Sequence, residues 1–294
     1  MRLFLLACVF SFSLATGCAL AAPARAGQGE ALSVMAGRES RELILYTPKS
    51  AKGPVPVVLV FHGGGGGAEW MAGRSQTLTR TLTEAGYAVA YMNGSSRRGG
   101  DKLRTWNAAH CCAYAQRRNI DEAAYADAAI EALDARLGID RARIFLTGHS
   151  NGAMLSYRLA GAMKVTPRAI APISGAIFAD QPDMPARTSI FMYHAQDDEV
   201  LSYSGSPDDK AERWRTQPHL GFVTAEAKLA EMKACGAATG VSSVPGITAT
   251  TRSCAGGSVL VATTTSAGGH EWLARPQADY RIEDALLLFF NSQK

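Results

Sequence analysis

Short apolar runs alternate with longer helical segments along almost the whole chain, and that alternation admits few architectures. The runs are RELILYTP, PVPVVLVFH, YAVAYMNG, ARIFLTG, RAIAPISG, TSIFMYHA and SVLVATTT. Helical patterns occupy 69–85, 121–137, 152–163, 222–234 and 279–291. A run that is apolar throughout, rather than at every second residue, is a strand buried on both faces. A helix of ten or more residues between two such strands makes a crossover that returns the chain parallel. The expectation is therefore an α/β fold: a mostly parallel central sheet with helices on both faces, and RELILYTP as an outer strand. Two stretches, 95–118 and 202–220, read as irregular inserts. The second holds Asp208, Asp209, Lys210, Trp214 and Arg215, and suits either a solvated excursion or a wall of a site.

The chain has 294 residues, 47% hydrophobic and 19% charged, which is enough to bury a sizeable core. Its first residues, MRLFLLACVFSFSLATGCALAAPARAG, place one cation before an apolar run from Leu3 to about Leu14, followed by small residues. That is the pattern of a secretory signal peptide over 1–26, with the run too short to span a membrane, and leaves 27–294 as a single catalytic domain. A lipoprotein signal with lipidation at Cys18 is the weaker variant, because Ala15 stands where such signals place Leu. The net charge is +4 and falls by two when Arg2 and Arg25 leave with the signal, so no electrostatic case for nucleic acid survives.

The strand ARIFLTG runs directly into GHSNGAMLSYRLA. Gly148-His149-Ser150-Asn151-Gly152 thus sits at a strand-to-helix junction, the setting in which Gly-x-Ser-x-Gly forms a nucleophile elbow. A serine hydroxyl needs a base, which in this fold follows it after an intervening acid. His270, in SAGGHEWL after the strand SVLVATTT, is the expected base, with His219 and His194 less well placed. Asp197 and Asp198 follow the strand TSIFMYHA, and one of them must accept the imidazole N–H; composition does not choose between neighbours. The oxyanion donors are expected at Asn151 and in the run His62 to Gly67, at Gly64 and Gly65, because bare amides there leave room for the oxygen. No Lys-Ser or Lys-Thr follows that run, which disfavours a phosphate loop.

Taken together these residues resemble the secreted poly(3-hydroxybutyrate) depolymerase and feruloyl esterase group of α/β-hydrolases. The likeness rests on the oxyanion loop His62 to Gly66, Trp106-Asn107 followed by Cys111-Cys112, the paired acids Asp121-Glu122, Gly148 to Gly152, His194 to Asp198 and Gly268 to Trp272. Two positions depart from the group: Ala195 replaces a Gly, and Leu273 stands where many members have Pro. The resemblance implies a Ser150–His270–Asp198 triad, since Asp198 fills the fifth position of the His-Gly-x-x-Asp pattern, and Asp197 is left to cap the turn. It also implies a carboxylic ester as substrate, an acyl-enzyme intermediate and no cofactor or metal. Depolymerases of solid polyester commonly carry an adsorption domain behind a linker, whereas this chain ends just after its last expected helix. That favours a feruloyl or acetyl group on xylan over polyhydroxybutyrate oligomers. An acyltransferase and a binding protein that has lost catalysis are the readings from other classes. Trp106, Tyr114, Trp214 and Trp272 are the candidate substrate walls.

The cysteines outside the signal are Cys111, Cys112, Cys235 and Cys254. In an oxidising compartment disulfides are the default. Cys235 and Cys254 flank a Gly/Ser/Thr-rich stretch before the strand that delivers His270, and are expected to pair; Cys111 and Cys112 read either as a vicinal bridge or as separate residues. A zinc site at His110, Cys111 and Cys112 is disfavoured because adjacent thiolates lack a spacer.

Overall fold

The computed structural model describes residues 29–293 apart from 51–52, 98, 101, 207–214 and 275–279. The signal segment with Cys8 and Cys18, and Asp208, Asp209, Lys210 and Trp214 of the second insert, lie outside the described residues. Ten strands form one sheet: β1 (Glu30–Ala36), β2 (Glu39–Tyr46), β3 (Val55–Phe61), β4 (Ala88–Met92), β5 (Ile139–His149), β6 (Ala169–Ile173), β7 (Ser189–Ala195), β8 (Ala238–Val244), β9 (Ile247–Ser253) and β10 (Val259–Thr265). The helices are α1 (Ala68–Arg74), α2 (Gln76–Glu84), α3 (Ala113–Arg117), α4 (Glu122–Leu137), α5 (Asn151–Ala162), α6 (Phe222–Met232) and α7 (Ile282–Asn291).

The strand order is β1-β2-β4-β3-β5-β6-β7-β10-β9-β8. From β4 to β10 every neighbouring pair is parallel, and an antiparallel pair closes each edge. Each residue of β3 is buried, and alternate side chains serve opposite faces. Val57, Leu59 and Phe61 join the cluster under α4, α5 and α6, whereas Val58 and Val60 join the one under α1, α2 and α7. The parallel sheet covered on both faces is the expected architecture.

Three strands and one helix break arise where pattern reading is weak. β1 alternates exposed residues with half-buried or buried ones at the sheet edge, so its short run EALSVMA is interrupted by Glu30 and Ser33 rather than uniformly apolar. β8 and β9 form a hairpin around Pro245-Gly246, with Gly246 at φ 75°, and extend the sheet with runs in which Thr, Ser and Gly interrupt the apolar residues. The expected helix over 69–85 is two helices. Ser75 ends α1 at φ −114°, its hydroxyl donating to the Met71 carbonyl at 2.7 Å while it accepts Trp272 Nε1 at 2.8 Å.

Candidate active site

Because β3, β5, β7 and β10 run in the same direction, the loops after them gather at one edge of the sheet, where open α/β sheets bind ligands. Those loops carry the oxyanion run, Ser150, the two aspartates and His270.

Ser150 stands between β5 and α5 at φ 53°, ψ −118°, a conformation that an L-residue holds only when its surroundings enforce it. The enforcement comes from close backbone approach on both sides. A Cβ on Gly152 would lie 2.3 Å from the Phe61 carbonyl oxygen, and one on Gly148 would lie 2.7 Å from the Gly152 backbone. The Ser150 amide donates to the Ile173 carbonyl at 3.1 Å, which ties the turn to β6.

His270 Nδ1 donates to Asp198 Oδ2 at 2.8 Å. Asp198 is buried, and its other oxygen accepts the amides of Val200 and Leu201 at 2.9 and 2.7 Å. His194, four residues earlier, adds a longer contact from Nε2 to Oδ2 at 3.3 Å while donating to the Leu201 carbonyl. Burial alone would raise the Asp198 pKa; the hydrogen bonds from His194, His270 and the Leu201 amide outweigh it and hold the carboxyl well below the usual range. It is therefore a permanent anion that accepts and never donates, which leaves His270 Nε2 as the basic nitrogen. Asp197 faces the same loop differently: it accepts the amides of Gly268 and Gly269 at 3.3 and 2.8 Å. It fastens the segment that carries His270, rather than merely closing its own turn.

The glycine run is held from behind by His62. The Gly94 amide donates to Nε2 at 3.0 Å, so Nδ1 carries the proton and donates to the Gly63 carbonyl at 2.7 Å. In a trans peptide the carbonyl and the next N–H point opposite ways, so anchoring the Gly63 oxygen turns the Gly64 amide outward. Gly64 lies against Asn151, with a Cβ there 3.7 Å from Asn151 Cβ. Gly65 departs from the expectation: its amide already donates to the Arg104 carbonyl at 2.8 Å, so it is not available to an oxyanion. The Asn151 side chain is locked as well, accepting the Trp106 amide at 2.8 Å and donating to its carbonyl at 3.1 Å.

One cavity of about 1230 Å³ is lined by Ser150, Asn151, His270, Gly63 to Gly66 and His149. Burial, then the proximity of His270, lowers the His149 pKa to about 3, so this ring is neutral across the physiological range. Of the expected walls, Trp214 falls outside the described residues, and Trp106, Trp272 and Tyr114 lie elsewhere. Trp106 is wholly buried between Tyr125 and His62, its Nε1 donating to the His62 carbonyl at 2.8 Å. Trp272 is buried behind His149 on Ser75, and half-buried Tyr114 lies off the cavity. Both indoles are large enough that core packing claimed them. The residues that do face the opening are Trp70, Leu103 and Val200, with Glu69 and Lys102 beside them and Cys111, Cys112 and Met154 deeper. Trp70 was missed because it lies in a helical pattern; its position three residues after the glycine run ends at Gly67 was the available signal.

Cys111 and Cys112 are joined to each other, and Cys235 is joined to Cys254. Among the described residues no helix is long and apolar enough to cross a membrane.

No family model matches the chain. It is 25% identical over 164 residues to the bifunctional acetylxylan esterase/xylanase XynS20E of Neocallimastix patriciarum, a match covering 55% of this chain and 22% of that protein. The chain thus spans about a fifth of that relative's length. It is 26% identical over 260 residues to the putative esterase NocK of Nocardia uniformis subsp. tsuyamanensis, covering 81% and 72% respectively. Among solved structures it resembles an acetyl xylan esterase from Aspergillus awamori with a TM-score of 0.61 and 14% identity, over 90% of this chain and 99% of the other. The chain is an α/β-hydrolase-fold protein, similar in sequence to esterases.

Proposed function

We propose that this chain is a secreted serine carboxylic-ester hydrolase that removes acetyl or feruloyl groups from plant polysaccharide. The observation that carries the reading is the single cavity onto which Ser150, His270, Gly64 and Asn151 all open, with Asp198 bonded to His270 from behind. Ser150 Oγ attacks the ester carbonyl as His270 Nε2 takes its proton, and Asp198 stabilises the imidazolium. The amides of Gly64 and Asn151 receive the oxyanion, each such donor being worth roughly 3 to 4 kcal/mol in the transition state. His270 returns the proton to the leaving alcohol, and water repeats the sequence on the acyl-enzyme.

The similarity to XynS20E, named as an acetylxylan esterase, supports xylan-borne esters. The apolar leader and the disulfide between Cys235 and Cys254 support secretion into an oxidising space. Hydrolysis of acetylated xylan, methyl ferulate and hydroxybutyrate oligomers by the purified mature protein tests the substrate. We expect kcat/KM on the first two to exceed that on the oligomers. Rapid attack on the oligomers with no acetate or ferulate released would install the poly(3-hydroxybutyrate) depolymerase instead.

A further inference from the structure

Among the described residues six large apolar side chains are well exposed, and three of them, Trp70, Leu103 and Val200, line the one cavity that holds Ser150. Exposed apolar surface concentrated at an opening marks a binding surface rather than chance. We propose that Trp70 is the platform on which the alcohol part of the ester rests, and that this part is a sugar ring. The proposal rests on Ser150 and His270 acting as an ester hydrolase.

The side of the cavity follows from the tethers on α1. That helix begins at the oxyanion glycines and ends beside the His270 loop: Arg74 lies 5.2 Å from the Trp70 ring and pairs with Glu271 at 3.5 Å, while Ser75 accepts Trp272 Nε1. Trp70 is therefore linked through Arg74 to the residue next to His270. The acyl oxygen must face Gly64 and Asn151, and the leaving oxygen must face the imidazole that protonates it. The alcohol accordingly extends toward Trp70, which is 46% exposed.

The class of alcohol follows from what surrounds the indole. Glu69 and Lys102 line the same cavity. A polyester chain offers Lys102 few hydrogen-bonding groups, so covering that charged side chain would cost free energy without return. A pyranose has an apolar C–H face that suits an indole, and a rim of hydroxyls that suits a carboxylate and an ammonium.

The test compares acetylated xylotriose with ethyl acetate, which has the same acyl group and a small alcohol, for the wild type, Trp70→Ala and Trp70→Phe. We expect the ratio of the two kcat/KM values to fall at least tenfold in Trp70→Ala, mainly through KM on the sugar ester, and Trp70→Phe to retain most of the wild-type ratio. An unchanged ratio, or an equal loss on both esters, would overturn the platform, as would a wild type that cleaves ethyl acetate and spares the sugar ester. A wild type that cleaves neither would instead remove the ester-hydrolase reading beneath it. Trp70 packs near Gly66, so melting curves accompany each variant; if Trp70→Ala does not fold, the same ratio measured on Trp70→Gln, which keeps side-chain bulk but has no aromatic face, decides, with an unchanged ratio overturning the proposal.

Discussion

Asp197 Oδ1 accepts the Gly269 amide at 2.8 Å, while the adjacent Asp198 accepts the side chain of the next residue, His270, also at 2.8 Å. Two neighbouring carboxylates thus hold one loop by its backbone and by its imidazole. Replacing Asp198 with Asn is expected to lower kcat by roughly 10⁴-fold, because the amide favours the wrong imidazole tautomer. Asp197→Ala should lower kcat about tenfold and stability by about 1 kcal/mol, the worth of solvent-exposed hydrogen bonds to a charged group. Steady-state kinetics and melting of both variants check this; the reverse ranking in kcat would transfer the acid's role to Asp197.

His62 is expected to act on the oxyanion loop without touching substrate. His62→Ala removes the shorter of two hydrogen bonds on the Gly63 carbonyl, leaving the Gly66 amide at 3.1 Å, and strands the Gly94 amide, so the Gly64 donor is aimed less firmly. We expect kcat to fall roughly 10- to 100-fold with KM little changed, a fraction of the cost of deleting a donor outright. A change confined to KM would argue against this role.

Much of this arrangement was legible in the residues. The strands that build the parallel core were visible because burial on both faces leaves them almost uniformly apolar, as in β3 and β7. The Ser150 turn was visible because only glycine fits at 148 and 152, where carbonyl oxygens press against the chain. What escaped depends on contacts distant in sequence. Nothing near Gly65 announces that Arg104 claims its amide, and nothing near Trp106 announces that it will serve as the clamp on Asn151 rather than as a substrate wall. β8 and β9 escaped because β8 is the sheet's edge and β9, next to it, is mostly only half-buried, so neither needs an apolar pattern. The family pattern singled out Asp198, but that Asp197 holds the Gly268 and Gly269 amides required the geometry of a loop some 70 residues away.

Acid should destabilise the protein through His149. Its folded pKa of about 3 lies below the ordinary 6.5, so between those values the unfolded chain takes up a proton that the folded chain refuses. The stabilisation is complete above pH 6.5 and is lost as pH falls toward 3; Asp198, also depressed on folding, adds the same sign below its ordinary value near 3.8. Melting temperatures from pH 7 to 3.5 should therefore fall less steeply in His149→Gln than in the wild type. Equal slopes would remove His149 as the cause.

Cys235 and Cys254 are separated by 19 positions in sequence, a loop for which chain entropy alone gives about 3 kcal/mol. In a domain of this size Cys235→Ser with Cys254→Ser should lower Tm by about 5 to 10 °C. Non-reducing peptide mapping should recover the two cysteines in one cross-linked fragment; free thiols at both positions in protein isolated without reductant would refute the bridge.

The central claim is that Ser150 forms the acyl-enzyme. The direct measurement is mass spectrometry of the mature protein after treatment with a serine-directed phosphonate, alongside ester hydrolysis by folded Ser150→Ala. We expect a single adduct on the peptide containing Ser150, no adduct in the variant, and hydrolysis reduced to the uncatalysed background or within about 10³- to 10⁴-fold of it. A label on another residue, or substantial turnover by the folded variant, would contradict the account.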